Sequence, residues 1–211
     1  MSSGGPMSDA VVYLGPTLDR GTARSWLNAT YLPPIKRGDL AHLPPGIETV
    51  GIIDGVFHQS LAVSPKEIVD LLHRGVRVYG ASSVGALRAV ESHSYGMIGV
   101  GAIFAMYMDG EIDADDEVAV AYDPSTNRAV SESLVNIRFA LKIATEQGVI
   151  PREEADQIIS TMRDIYFPLR SWQLVVSMSP AIGPFLKDER FDQKRDDAIL
   201  LLRKISDQNS R

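Results

Sequence analysis

The sequence has no cysteine. That excludes a disulfide framework, a thiolate nucleophile and a persulfide carried on this chain. Histidine is scarce too: His42, His58, His73 and His93 stand apart, without the spacing of metal ligands, and no metal or other cofactor is expected. Positive charge is in deficit. The net charge is −6 and the isoelectric point about 5.2, which argues against nucleic acid or an anionic membrane as a partner. Long apolar runs are missing as well; the longest, LVVSMSPAIGPFL at 174–186, is broken by Ser, Pro and Gly and is too short to span a bilayer. The opening MSSGGPMSDA has neither the basic nor the apolar region of a signal peptide, so a cytoplasmic protein is expected.

What is present is an alternation of strand and helix signals. VVYLG (11–15), TVGIIDG (49–55) and VRVYG (76–80) are short apolar runs that end at glycine and read as buried strands. Between them SPKEIVDLLHRG (64–75) carries a complete helix grammar: Ser64 as N-cap, Pro65 at the first helical position, Glu67 to close a capping box and Gly75 as the stop. A weak helical pattern covers 18–28, and YLPPIKRGDLAHLPPG (31–46) reads as a loop because it is rich in Pro and Gly. GMIGVGAIFAMYMDGEI (96–112) reads as a helix entered through a glycine-rich turn, and DADDEVAVAYDP (113–124) as a solvated acidic turn leading into a fourth strand. From Ser131 the periodicity is helical. The pattern predicts an α/β fold with a mainly parallel central sheet flanked by helices, and a helical C-terminal portion. The expected organisation is a disordered lead-in at 1–10 and one domain at 11–211, with an α/β core at 11–130 and the helical portion at 131–211.

One stretch carries chemistry: VYGASSVGALRAVE (78–91). Ser83 has Ala81 and Gly85 two residues away on either side, and small residues are what a sharp strand-to-helix turn bearing a nucleophile requires. Such a turn aims the amides of the helix start at the space beside the serine, where an oxyanion can develop. The same residues also suit a plain corner with Ser82 or Ser83 as N-cap. A nucleophilic serine needs a base. Lys66, at the second position of the capped helix, sits where the helix dipole disfavours its charged form; Lys36, in PPIKRGD, competes with it, and a solvated lysine is the simpler reading of either. Asp54 ends a strand at the carboxyl edge of the sheet, where open α/β sheets bind ligands, and it equally suits a turn before Gly55. Arg88 and Glu91 are three apart and share a helix face, either as an ion pair or with Arg88 free to hold a carboxylate.

Taken together, LGPTL (14–18), PPIKRGDL (33–40), IIDGVF (52–57), SPKEI (64–68), GASSVGALRAVE (80–91), YGMIGVGAIF (95–104), DDEVAV (115–120) and LVNIR (134–138), with a weaker echo at RSW (170–172), resemble the TfuA-like family. Val84 and Val90 depart from the family's common methionine and alanine without touching the proposed chemistry. The resemblance implies a hydrolase acting on a thiocarboxylated, ubiquitin-like sulfur carrier such as ThiS. It would release sulfide to a partner YcaO enzyme, which activates the peptide amide in thioamide formation, and would help YcaO engage its peptide substrate. A Ser–Lys pair is implied. Carried onto this chain, the serine falls on Ser83 and the lysine on Lys66, with Lys36 as the lesser choice; Asp54, Ser82, Gly85, Arg88 and Glu91 are the supporting residues. The alternative is a non-catalytic adaptor that docks on YcaO and promotes peptide engagement. A third reading, a nucleotide-binding α/β protein, rests only on the glycine-rich turn and Asp54.

Overall fold

Apolar runs bounded by glycine and proline do become strands here, and their order builds the site. The structure, a computed structural model, describes residues 9–57, 61–188 and 191–209. Most of the expected lead-in, and His58, lie outside the described residues. The chain forms two units, one made of the residues up to Glu111 together with those from Arg195 onward, the other of Ile112–Lys194.

The first unit is built on strands β1 (Ala10–Tyr13), β2 (Thr30–Leu32), β3 (Thr49–Ile52), β4 (Arg77–Ala81) and β5 (Ile98–Val100). They form one five-stranded sheet in the order β2-β1-β3-β4-β5, and every pair is parallel. The helices are α1 (Arg20–Trp26), α2 (Pro65–His73), α3 (Val84–Ser92) and α4 (Ala102–Met108). The chain runs outward from β1 to β2, then returns past β1 and continues the other way. Right-handed crossovers therefore place the connecting helices on opposite faces. On one face Val11, Tyr13, Val50, Ile52 and Val78 pack with Ile68 and Leu71 of α2 and Val84 and Ala89 of α3. On the other, Val12, Tyr79 and Ala81 meet Ala23 of α1 and Ala198, Leu201, Leu202 and Ile205 of the C-terminal helix, Gln193–Asn209. This last helix is fastened by Asp197, whose carboxylate accepts the amides of Ala102 (3.0 Å) and Ile103 (2.8 Å) at the start of α4. Gly101 is needed there because a Cβ would strike that carboxylate.

In the second unit a short antiparallel pair, β6 (Tyr122–Asp123) and β7 (Arg128–Ala129), precedes helices α5 (Leu134–Glu146), α6 (Arg152–Asp164), α7 (Trp172–Met178) and α8 (Ile182–Asp188). Leu134, Ile137 and Leu141 of α5, Ile158 and Met162 of α6, Val175 and Ile182 close its core. The C-terminal helix, which runs across the boundary between the units, is α9.

Three local expectations are corrected. The loop expected at 31–46 begins inside β2, and the helix expected at 96–112 begins with β5. Both are three-residue edge strands, too short to show a period of two. The fourth strand expected at 113–124 is instead a 3₁₀ turn at Asp115–Glu117 followed by the two residues of β6, outside the main sheet.

Candidate functional site

The strand order reverses between β1 and β3, and at such a switch point the loops leaving the carboxyl ends diverge and open a crevice. Asp54 lies there. Its buried carboxylate accepts the amides of Gly15 (2.8 Å) and Thr17 (3.2 Å) and the Thr17 hydroxyl (2.6 Å), so it ties the loop after β1 to the end of β3. Asp54 is thus a brace, its carboxylate taking hydrogen bonds from Gly15 and Thr17. The loop at 33–40 runs alongside: Ile35 donates to Asp54 O and accepts from Val56 N, both at 2.9 Å. Glycines let these segments converge. A Cβ on Gly15 would come within 2.5 Å of Pro34 Cγ, and one on Gly55 within 2.9 Å of Val84 Cγ1 and 3.0 Å of Ile35 Cγ2.

Ser82 and Ser83 form the turn from β4 into α3. A Cβ on Gly85 would fall on the carbonyl oxygen of Ile52, and one on Gly80 on the carbonyl oxygen of Gly85. The helix therefore touches both β3 and β4 through bare backbone. Gly80 and Gly85 make this close crossing, in place of the Ala81–Gly85 pair expected from the motif. The turn is strained at Ser82, which takes a positive φ of 67°, and the Ser83 amide closes a three-residue ring onto Ala81 O at 2.8 Å. A γ-turn with positive central φ is the rare and strained form, and it marks Ser82 as the pivot. Ser83 follows as N-cap of α3 with 3 % of its surface exposed, yet its hydroxyl caps no amide and has no partner among the described residues. One turn on, Arg88 pairs with Glu91 through Nη1 while its buried Nε has no partner among the described residues.

The two candidate bases lie in the first turn of α2 and in the loop after β2. The expected capping box forms: Ser64 Oγ accepts the Glu67 amide, and the Glu67 carboxylate accepts the Ser64 amide at 2.9 Å and hydroxyl at 2.8 Å. Glu67 also accepts the Gly38 amide at 2.6 Å, so the first turn of α2 is pinned to the loop carrying Lys36. Burial works to raise the Glu67 pKa, but the hydrogen bonds from Ser64 and Gly38, with the nearby Arg37 charge, outweigh it and hold the carboxyl below the usual range. Lys66 and Lys36 are both exposed, and neither ammonium forms an ion pair or hydrogen bond with a described residue. The structure therefore brings Ser82, Ser83, Gly85, Arg88 and Glu91 together on one turn and helix, braces the edge with Asp54, and leaves both lysines unbonded to Ser83.

The remaining motif stretches have a different office, which the sequence did not disclose. The acidic run at 113–117 is a solvated turn only in part: Asp113 and Asp115 are exposed, whereas its end turns inward. Glu117 is buried and makes a two-point pair with Arg138, Nε to Oε2 at 2.9 Å and Nη2 to Oε1 at 2.7 Å. Arg170, also buried, reaches Asp116 O at 2.7 Å and Asp116 Oδ2 at 2.5 Å, and holds the carbonyls of Met162, Arg163 and Ile165. Lys194 donates to Val118 O at 2.7 Å, and its amide to Asn136 Oδ1 at 3.2 Å. DDEVAV, LVNIR and RSW are thus linked in the second unit by two charge pairs, in each of which one member, Glu117 or Arg170, is buried and the other, Arg138 or Asp116, is partly exposed. The one hint in the sequence was polar Asn136 and Arg138 inside an otherwise apolar helical stripe.

Among the described residues no group of acidic or histidine side chains is placed to hold a metal ion, and no helix is long and apolar enough to cross a membrane. No curated protein matches the chain. The model of the TfuA-like protein family matches residues 54–171, more than half of the sequence; the match takes in Asp54, Lys66, both serines, Arg88 and Arg170, and leaves Lys36 outside. The chain belongs to the TfuA-like family, whose members point to a role in thioamide formation beside a YcaO enzyme.

Proposed function

We propose that this protein hydrolyses the C-terminal thiocarboxylate of a ThiS-like sulfur carrier in the cytoplasm and hands the sulfide to a partner YcaO enzyme, whose peptide binding it also assists. The observation that carries the reading is Ser83: a nearly buried serine at a strained strand-to-helix turn, on the carboxyl edge of a parallel sheet, with its hydroxyl unengaged. Lys66 in its neutral form takes the Ser83 proton as Oγ attacks the thiocarboxylate carbon. The tetrahedral adduct collapses, the C–S bond breaks, and the proton held by Lys66 passes to the departing sulfur as hydrosulfide. Water then cleaves the acyl-serine ester and leaves a carboxylate on the carrier. Lys66 is favoured over Lys36 because it lies inside the family match. Its exposed, unpaired amine on a flexible stem is able to turn toward the edge when the carrier binds.

A second reading, a non-catalytic adaptor on YcaO, draws on the same absence of a Ser83–Lys66 bond. Thiocarboxylated carrier incubated with wild type, Ser83→Ala, Lys66→Ala and Lys36→Ala, and followed by intact mass, separates the two. The hydrolase gains carboxylate product with wild type and loses it with Ser83→Ala and Lys66→Ala. No conversion by wild type removes the hydrolase reading. Loss with Lys36→Ala alone moves the base.

A further inference from the structure

Three side chains stand further out than any other large hydrophobic among the described residues: Leu169 (69 % exposed), Tyr166 (67 %) and Val130 (67 %). All three belong to the second unit. Tyr166 and Leu169 bound a single 3₁₀ turn, in which Leu169 N–H donates to Tyr166 O at 2.9 Å and Arg170 N–H to Phe167 O at 3.2 Å. Phe167 meets Tyr166 edge-on with ring centres 5.0 Å apart, and Pro168 fixes the backbone between them and Leu169. The buried Arg170 side chain holds the turn from inside, through Asp116 and the carbonyls of Met162, Arg163 and Ile165. Arg170 O in turn accepts the Glu132 amide at 2.9 Å, which sets the segment carrying Val130, two residues earlier, beside the turn. Large apolar side chains kept in water contribute little to the fold, and a group of them marks an interaction surface. One that is already ordered loses little freedom on binding.

We propose that this turn is where the partner YcaO enzyme docks, seating Tyr166 and Leu169 in an apolar pocket with a basic rim. This rests on the YcaO partnership in the reading above and not on the hydrolase chemistry. Charge argues for the rim. Residues 112–194 hold 14 Asp and Glu against nine Lys and Arg, so −5 of the chain's net −6 falls on them. Around the turn Asp164 and Asp115 are exposed, Arg163 is taken up by Asp113 at 3.1 Å, and Arg128, two residues from Val130, is the opposing charge. A second copy of the chain is the poorer occupant, since contact turn to turn would set two such acidic units against each other. A standard interface covers about 800 Å² on each partner, enough to take in the turn and Val130 together. All of these apolar residues lie inside 54–171, the segment that the family model matches.

The test is the affinity of the full chain for the purified YcaO enzyme of the same organism, measured by isothermal titration calorimetry. Tyr166→Ala/Leu169→Lys removes both anchors and sets a positive charge against the basic rim, and Kd is expected to rise at least about 100-fold. Leu200→Lys makes the same change at an exposed leucine of α9 and should bind as wild type does. The wild-type Kd should also rise as salt is raised from about 0.05 to about 0.5 M; a Kd that ignores salt overturns the basic rim. Thermal unfolding checks that the variants are folded. Should the double variant not fold, Val130→Lys decides, with an expected rise in Kd of about tenfold or more. Carrier hydrolysis by the double variant alone should equal that of wild type, because Ser83 and Lys66 are untouched. Wild-type affinity in the double variant, or an equal loss in Leu200→Lys, overturns the surface and leaves the partnership. A dimer in sedimentation equilibrium that the double variant splits, with YcaO affinity unchanged, gives the surface to a second copy and overturns the proposal. A wild type that binds no YcaO removes the partnership and this surface together, whatever the hydrolysis assay returns.

Discussion

Replacing Gly85 by alanine probes the contact on which the turn depends. The new methyl carbon would lie on the Ile52 carbonyl oxygen and only 2.6 Å from its carbonyl carbon. Carbon atoms rest at about 3.5–4.0 Å, so α3 must withdraw from β3 by about 1 Å. The obstacle is backbone in the middle of a parallel sheet and cannot rotate away. Withdrawal also breaks the Gly85 amide bond to Ile53 O and loosens Val84 and Ala89 from the core they share with Ile52. Overpacking of about 1–3 kcal/mol and a lost hydrogen bond of about 1 kcal/mol give a destabilisation of about 3 kcal/mol. Gly75→Ala is the comparison. Gly75 has a φ of 83° with open space where a Cβ would go, so alanine meets only backbone strain, about 1 kcal/mol. Urea unfolding of both variants, followed by far-ultraviolet circular dichroism, gives the two losses directly. Carrier hydrolysis by folded Gly85→Ala should fall as well, since the Ser83 hydroxyl moves with the helix. A Gly85→Ala loss no larger than that of Gly75→Ala refutes the close crossing as the reason for glycine.

Two further outcomes are expected. Ser82→Gly and Ser82→Ala remove the same hydroxyl and differ only by a Cβ at positive φ, so the glycine variant should be the more stable by about 1 kcal/mol, the reverse of their order in a regular helix; equal stabilities rule out strain at Ser82. Burial, aided by the Asp192 charge and opposed by hydrogen bonds from Ser133 and Asn136 and by Lys194, raises the Glu132 pKa above the ordinary carboxylate range. A raised carboxyl pKa contributes stability below the unfolded pKa and loses it as pH rises through the folded one. Glu132→Gln should therefore gain on wild type as pH climbs from about 4 toward neutrality and then level off; a gain that does not change with pH shows that Glu132 does not titrate in this way.

The α2 start was legible in the sequence because Ser64, Pro65 and Glu67 act on one another within a single turn. The strands β1, β3 and β4 were legible because both faces of the sheet are covered, which makes each an unbroken apolar run. Edge strands β2 and β5 were not, being three residues long among prolines and glycines. The serine turn was readable as small residues around Ser83. Which glycine meets which carbonyl, and that the strain falls on Ser82, depend on where β3 lies, and β3 is some thirty residues away in the chain.

The charges of the second unit show the same division more sharply. Glu117 and Arg138 are 21 residues apart and Asp116 and Arg170 are 54 apart. In sequence each looks like a solvated charge, since burying one without its partner is prohibitive; only the fold supplies the partner. Sequence alone fixed the parallel α/β design, the helix caps and the serine-bearing turn, all products of local stereochemistry and hydrophobic periodicity. Tertiary structure decided the rest: that the Ser83 hydroxyl is left without a partner among the described residues, and which charges go inside. Both follow from hydrogen-bond accounting between segments that meet only after folding.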